Sequence, residues 1–338
     1  MIGWYIHHQG AGHLQQLRTI SNHLVSPVTA FSSLKRPTWW RGEWIELPSD
    51  APADPSADAT AGGALHWAPR HHPGVRRRGA AIAAWIDRAR PRLFVTDVSV
   101  EVTLLARLLG VPVVVVAMRG SRTDRAHAAA YDVAHALLAP WPGTLASTSW
   151  PSRWLAKTWH VGAFSAFDGR TPSSPPETPP RRVLVVMGSG GATVTAATLD
   201  RARSATPGWE WRAAGVTSSL SRPALWRALC HAHVVITHAG QNAVAEVAAA
   251  RRPAIVVAQP RPHDEQVDTA RTLHRAGIAM GRTSWPAASR LPGLLDLAAL
   301  QDADRWREWA PGDGAVRAAR ELDHLAGTFQ SGSVCGQR

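Results

Sequence analysis

The chain has 338 residues, enough for two domains of ordinary size. With 45% hydrophobic and 18% charged residues, it reads as globular and not as disordered. The formal net charge is +12, but Lys35 and Lys157 are the only lysines among 37 basic residues, and the arginines do not form the patterned basic stripe of a nucleic-acid-binding module.

Residues 2–7 are apolar enough for a strand and run into the turn Gln9-Gly10-Ala11-Gly12. From 13 to 24, Leu14, Leu17, Ile20 and Leu24 repeat at helical spacing. A buried strand is predicted at 93–96, a helix at 100–109 ended by Gly110, and another strand at 113–117. The stretch RTPSSPPETPPRR, 170–182, holds five prolines in thirteen residues, which excludes helix and central strand and predicts an extended linker. After it come a strand at 182–187, a glycine turn from Gly188 to Gly191 and a helix at 192–202. A strand at 234–236, a helix at 242–250 and a strand at 254–258 follow, with a last helical pattern at 315–325. Strand and helix alternate on both sides of the linker, which predicts α/β architecture with parallel sheets. The domains are expected at 1–165 and 182–328, joined by a Pro-rich linker at 166–181 and followed by a loose tail at 329–338.

Ligands of open α/β sheets bind beyond the carboxyl ends of the strands. The turns to search are therefore 7–13, 96–101, 187–193, 237–246 and 259–266. Gly188-Ser189-Gly190-Gly191 follows a strand, and its glycines let backbone amides approach an anion. It fits neither the dinucleotide fingerprint nor an NTPase phosphate loop. Thr237-His238-Ala239-Gly240-Gln241-Asn242 also follows a strand, with Glu246 eight residues after His238. A helix starting there can hold a diphosphate, and Glu246 can accept both hydroxyls of a ribose. Glu265 and Gln266, after the next strand, can bind sugar hydroxyls. His7, His8 and His13 converge on the first turn, where a histidine is suited to deprotonate a hydroxyl.

The segment THAGQNAVAEVAAARRPAIVVAQPRPHDEQVDTA resembles the nucleotide-sugar-binding half of GT-B glycosyltransferases, most of all those of the MurG type. VLVVMGSGGA resembles the first glycine turn of the same C-terminal domain, and Gly10-Ala11-Gly12-His13 resembles the N-terminal Gly-x-Gly-His turn. The resemblance implies two Rossmann-like domains facing across a cleft. It implies an inverting, metal-independent transfer of a hexose or N-acetylhexosamine from a UDP-sugar, which is a co-substrate and not a cofactor, to an acceptor hydroxyl. Gly188, Ser189, Gly190, Gly191, His238, Gly240, Asn242, Glu246, Glu265 and Gln266 would bind the donor. His13 or Asp97 would be the base, with His8 as a further candidate, and Gly10, Gly12 and Ser99 would lie on the acceptor side. The last helix would pack back on the first domain.

One departure concerns the acceptor. MurG-type enzymes carry a second glycine-rich loop where this chain reads Thr96-Asp97-Val98-Ser99-Val100-Glu101, and two acids there would repel a diphosphate. The acceptor stays open between a cell-envelope glycan, a glycolipid, lipid-linked or not, and a secondary metabolite. A nucleotide-sugar 2-epimerase and a non-catalytic nucleotide-sugar-binding partner of another transferase remain alternatives. The resemblance implies no metal, which fits the absence of an Asp-x-Asp pair in a plausible site and of any His-Glu-x-x-His motif.

Ten of the 16 tryptophans precede residue 165, and Trp39, Trp40 and Trp44 are expected in a loop, as core filling or as a stacking surface. His71, His72 and Arg76 to Arg78 read as surface loop. Two cysteines, Cys230 and Cys335, cannot make a disulfide framework, which points to a reducing compartment. The start MIGWYIHHQGAGH lacks the pattern of a signal peptide, and the longest apolar run, 111–118, falls short of the roughly 18–20 residues of a membrane span. A cytoplasmic protein is expected, without a nucleic-acid partner. The basic charge leaves open a peripheral contact with the membrane, although GC-rich codon usage explains it equally well.

Overall fold

The computed structural model describes residues 1–52, 58–146, 150–178, 180–188, 194–216 and 219–331. The first domain alternates β1 (Ile2–Tyr5), α1 (Ala11–Ser21), β2 (Val28–Ser32), β3 (Glu43–Glu46), α2 (Pro73–Ala89) and β4 (Leu93–Asp97). It continues with α3 (Val100–Leu108), β5 (Val113–Val116), α4 (Arg125–Val133), β6 (Ala136–Ala139), the short α5 (Ser152–Leu155) and β7 (Thr158–His160). The strands form one parallel sheet in the order β3-β2-β1-β4-β5-β6-β7. β5 is four valines, all buried, as a strand covered on both faces requires.

The second domain holds β8 (Arg181–Val186), α6 (Ala196–Ala205), β9 (Trp209–Ala214), α7 (Arg222–His231), β10 (Val234–His238) and α8 (Gln241–Ala249). β11 (Ala254–Val257), α9 (Glu265–Arg275), β12 (Met280–Arg282), α10 (Leu291–Ala299), the short α11 (Trp306–Trp309) and α12 (Gly314–Ser331) complete it. Its parallel sheet runs β12-β11-β10-β8-β9.

Each sheet has one place where the chain reverses its direction of travel across the strands. In the first it lies between β1 and β4, in the second between β8 and β10. Crevices for ligands open at such points, because the two following loops turn away to opposite faces. The residues carried there are 7–13 and 97–99 in one domain, and 187–188 and 238–241 in the other.

α12 crosses back to the first domain. Ala315, Ala318, Leu322 and Leu325 share a core cluster with Trp4, Leu17 and Ile20. Burying a leucine such as Leu322 contributes about 1.5–3 kcal/mol. The Asp323 carboxylate accepts the N–H groups of Val25 and Ser26, each at 2.9 Å. Spatially, residues 314–331 therefore complete the N-terminal layer, and the expected tail at 329–338 begins inside this helix; 332–338 lie outside the described residues.

Other boundaries also move. The helix predicted at 192–202 is capped by Thr195, whose hydroxyl accepts Thr198 N–H at 3.2 Å, and runs Ala196–Ala205. Of the residues expected in a surface loop, His71 and His72 do precede the helix, whereas Arg76 to Arg78 lie on α2. His72 caps α2 by accepting from Gly74 and Val75 N–H, and Arg78 is buried in an ion pair with Asp50. Trp44 lies on edge strand β3, and Trp40 is buried with its indole N–H on Glu43 O at 3.0 Å. These tryptophans fill the core margin. The Pro-rich stretch opens with a turn at 166–169, holds no helix or strand over 170–178 and is anchored: His233 Nε2–H donates to Pro176 O at 3.0 Å, and Arg252 donates to Ser173 O.

Candidate active site

The N-terminal crevice is built by charge. Gly10, with φ 90°, takes the N-cap of α1 in a backbone conformation that L side chains rarely adopt. That turn places His13 on the first turn of α1, opposite Asp97 at the end of β4. His13 Nδ1–H donates to Asp97 Oδ2 at 2.7 Å. Asp97 is 2% exposed and His13 18%. Burial alone pulls the His13 pKa down, but the charge of Asp97 and the hydrogen bond to it outweigh burial and hold it above the usual 6.5. Because Nδ1 carries the proton, Nε2 keeps its lone pair as the basic atom. The sequence offered His13 and Asp97 as alternatives; the fold makes them one dyad.

Two more histidines stand behind it. The His7 ring lies edge-on to His13 with centroids 5.5 Å apart, and His8 stacks on His7 at 5.0 Å. Burial and the neighbouring His13 and His8 lower the His7 pKa to about 4, so it is neutral. Ser99 caps α3 by accepting Val102 N–H at 3.3 Å. Glu101 is turned from the dyad: its Oε1 accepts the N–H groups of His66 and Trp67 at 2.7 and 2.9 Å.

Beside the dyad lies a cavity of about 620 Å³, lined mostly by apolar groups, including Tyr5, Leu65, Ile82, Val102, Leu104 and Leu105. His7, His8, Ser99 and the Asp50–Arg78 pair supply its polar margin. Trp67 and Leu108, 39% and 84% exposed, form its outer rim.

The C-terminal crevice is built by backbone and neutral groups. His238 ends β10, and its Nδ1 accepts Gly240 N–H at 3.1 Å. Burial, with the charge of Arg261, lowers its pKa to about 4. The ring is thus neutral with its hydrogen on Nε2, which points at the turn after β8. A Cβ at Gly188 would come within 2.9 Å of that nitrogen, and one at Gly240 within 2.4 Å of the same ring. A side chain at either place would have to displace that ring. Gly240 is the N-cap of α8 and brings no side chain to its first amides, a position suited to an anion. Ser189, Gly190 and Gly191 lie outside the described residues.

Asn242 reaches the other domain: a Cβ on Gly12 would sit 2.6 Å from its Nδ2. Gly12 thereby lets α1 and α8 approach. Glu246, with its side chain 14% exposed, faces Arg222 at 3.6 Å, and burial lifts its pKa to about 7. Gln266 is buried, and its Oε1 accepts Gln259 N–H at 3.0 Å, so its amide nitrogen is what it offers toward Gly240. Glu265 accepts Arg122 Nη2–H at 3.2 Å; burial raises its pKa while Arg122 and His13 oppose the rise.

Arg119, Arg122 and Arg222 escaped the sequence reading. Arg119 donates to Asp268 Oδ2 at 2.8 Å, Thr272 Oγ1 at 2.9 Å and Leu145 O at 2.7 Å, tying α9 to the first domain. Arg222 donates to Gln15 Oε1 at 3.1 Å across the same cleft. Arg119 and Arg122 sit in the loop after β5, and the strand-end rule applied to that strand reaches them.

Two parallel α/β domains with opposed crevices make the GT-B fold of glycosyltransferases, and the resemblance to the MurG type is borne out. Residues 223–287 match the family model described as "Glycosyltransferase family 28 C-terminal domain". The glycotransferase of kitacinnamycin is similar in structure at 18% identity and TM-score 0.67, over 96% of this chain and 98% of that one. CalG4, the calicheamicin glycosyltransferase, is similar at 16% identity and TM-score 0.63, over 99% of each chain. Acinetobacter baumannii MurG is similar at 16% identity and TM-score 0.62, over 98% of this chain and 99% of that one. No curated protein matches the sequence.

Proposed function

We propose that the protein is an inverting glycosyltransferase that moves a hexose or N-acetylhexosamine from a UDP-sugar to a hydroxyl of a largely apolar acceptor. The observation that carries this reading is the His13–Asp97 dyad, 2.7 Å apart at one crevice and facing a nucleotide-type crevice across the cleft. The family 28 match over 223–287, which holds His238, Gly240, Asn242, Glu246, Glu265 and Gln266, supports the donor half. The cavity of about 620 Å³ beside the dyad supports an apolar acceptor.

In this reading the acceptor lies in the N-terminal cavity with its hydroxyl on His13 Nε2. His13 takes the hydroxyl proton as the oxygen attacks the anomeric carbon, and Asp97 stabilises the imidazolium that forms. The attack and the departure of UDP are one in-line displacement, which inverts the anomeric centre. The first amides of α8, the positive end of its dipole and His238 Nε2–H hold the leaving diphosphate, so the transfer itself runs without a metal. Glu246 binds the ribose hydroxyls, and Glu265 and Gln266 bind the sugar.

The test is a nucleotide screen by thermal unfolding with UDP, dTDP, GDP and NAD. A ligand at about 100 times its dissociation constant adds roughly 2.7 kcal/mol. UDP is expected to raise the melting temperature in the wild type and much less in Glu246→Ala. No shift with any nucleotide would overturn the donor reading. Nucleotide binding by a protein that forms no product across a broad panel of UDP-sugars and hydroxylated aglycones would leave a binding protein.

A further inference from the structure

Outside the dyad and the donor crevice, three histidines and an aspartate meet between the domains. His66 comes from the loop between β3 and α2. Asp124 caps α4, and His127 stands on its first turn. His263 comes from the other domain, in the turn before α9. One ligand atom from each of the four lies within 4.8 Å of all the others. His66 Nε2 is 3.1 Å from His127 Nδ1 and 3.5 Å from Asp124 Oδ1. His263 Nδ1 is 3.7 Å from Asp124 Oδ2, and His127 Nδ1 is 2.5 Å from the same oxygen.

Ligand atoms on a tetrahedral zinc ion, at ~2.0–2.1 Å from the metal, stand about 3.3 Å from one another. The 3.1 Å between His66 Nε2 and His127 Nδ1 is already close to that value, as are the 3.5 and 3.7 Å by which His66 and His263 reach the two different oxygens of Asp124. The 2.5 Å from His127 Nδ1 to Asp124 Oδ2 is a hydrogen bond whose proton the ion would replace.

The backbone is arranged to deliver the ligand from the second domain. His263 and Asp264 have φ of 62° and 54°, consecutive left-handed residues that are costly without glycine. Ser121 N–H donates to His263 O at 2.8 Å. Gly120, at φ 93°, makes room for that carbonyl, which a Cβ would approach to 2.2 Å. The same turn also carries Glu265, whose backbone Gly120 likewise leaves room for, but the His263 imidazole has no part in the proposed transfer.

We propose that His66 Nε2, His127 Nδ1, His263 Nδ1 and an Asp124 oxygen bind one divalent ion of the zinc type, and that the ion fastens the two domains in the closed arrangement. Imidazole nitrogens and one carboxylate in a compact set suit zinc rather than calcium or magnesium, which take oxygen ligands. An ion that requires ligands from both domains binds only when they are closed, and so shifts the population toward closure. Loading has one internal consequence. Arg122 Nη1–H now donates to His127 Nε2 at 3.2 Å, which puts the ring proton on Nδ1. With the ion on Nδ1 that proton moves to Nε2, and Arg122 turns from His127 toward Glu265, its other partner.

The site is tested on the full chain, stripped with chelator and titrated with Zn²⁺ against a chromogenic competitor. One tight site per chain is expected, weakened by more than about tenfold in His263→Ala and, from the other domain, in His66→Ala. Co²⁺ should give the intense visible absorption of tetrahedral nitrogen–oxygen coordination in the wild type only. Zn²⁺ should raise the melting temperature of the wild type and of neither variant, each compared with its own metal-free melt. Equal zinc binding by the wild type and both variants, or no tight site in the wild type, would overturn the proposal. Binding lost in His66→Ala but unchanged in His263→Ala would overturn the interdomain clasp. The readouts need no sugar or nucleotide, so the result stands apart from the proposed transfer.

Discussion

The two crevices occupy the same topological position and are built in opposite ways. The one between β1 and β4 is furnished with ionisable side chains: Asp97 is almost inaccessible and His13 is partly open to the cleft. The one between β8 and β10 is furnished with backbone, two glycines whose Cβ atoms would press on the His238 ring, and a histidine kept neutral by burial. A hydrogen-bonded acid turns a histidine into a base poised for a proton. Removal of side chains turns a helix end into a seat for negative charge. In the proposed reading, one topology thus serves proton transfer in the first domain and anion binding in the second.

The sharpest break between the two regions is His13→Ala. The turnover of an acceptor found by screening should fall by about 10²–10⁴-fold, with UDP-induced stabilisation intact. Asp97→Asn should displace the ascending limb of kcat/KM to lower pH, because it removes the charge that holds the His13 pKa above 6.5. A variant of either residue that lost nucleotide binding as well would show that the regions do not act separately.

Gly240→Ala attacks the other side. Its Cβ meets the His238 ring, at a cost of about 1–3 kcal/mol in stability. Calorimetry should show UDP affinity reduced by more than about tenfold while turnover at saturating donor is less affected.

Glu246 gives a pH test. Burial lifts its pKa from 4.5 to about 7, so UDP affinity should rise with pH through neutrality in the wild type and stay flat in Glu246→Gln. The sign for stability is opposite. Between pH 4.5 and 7 the folded protein holds a proton that the unfolded chain releases, so this group's contribution to stability is lost as pH rises through that window. Thermal melts of Glu246→Gln should lack this component. The smallest effect is expected for Arg222→Ala. Without its charge the Glu246 pKa moves further up, and the UDP-affinity limb follows to higher pH.

Much of the C-terminal crevice could be read directly, because it is contiguous. His238, Gly240, Asn242 and Glu246 lie within one strand-turn-helix unit, where spacing along the chain fixes spacing in space. The N-terminal dyad was legible only as two candidates, since 84 residues separate His13 from Asp97 and the pairing of β1 with β4 joins them. Arg78 shows the opposite failure. A run of three arginines reads as a solvated face, but the helical period turns Arg78 inward onto Asp50, while Arg76 and Arg77 stay outside. Trp44 was misplaced because edge strand β3 is only four residues long and its alternation is too brief to show.

By itself the sequence determined the alternation of strand and helix and the turns at Gly10 and Gly240. All of these follow from backbone sterics and local hydrophobic period. Tertiary structure alone decided what meets across long stretches of chain. It joined Asp97 to His13, returned α12 to the first domain, and brought Arg119 to Asp268 and His263 to His66 and His127. These contacts depend on strand order and domain closure, and burial then sets the charge of the groups involved. Neither is written in the spacing of residues along a single element.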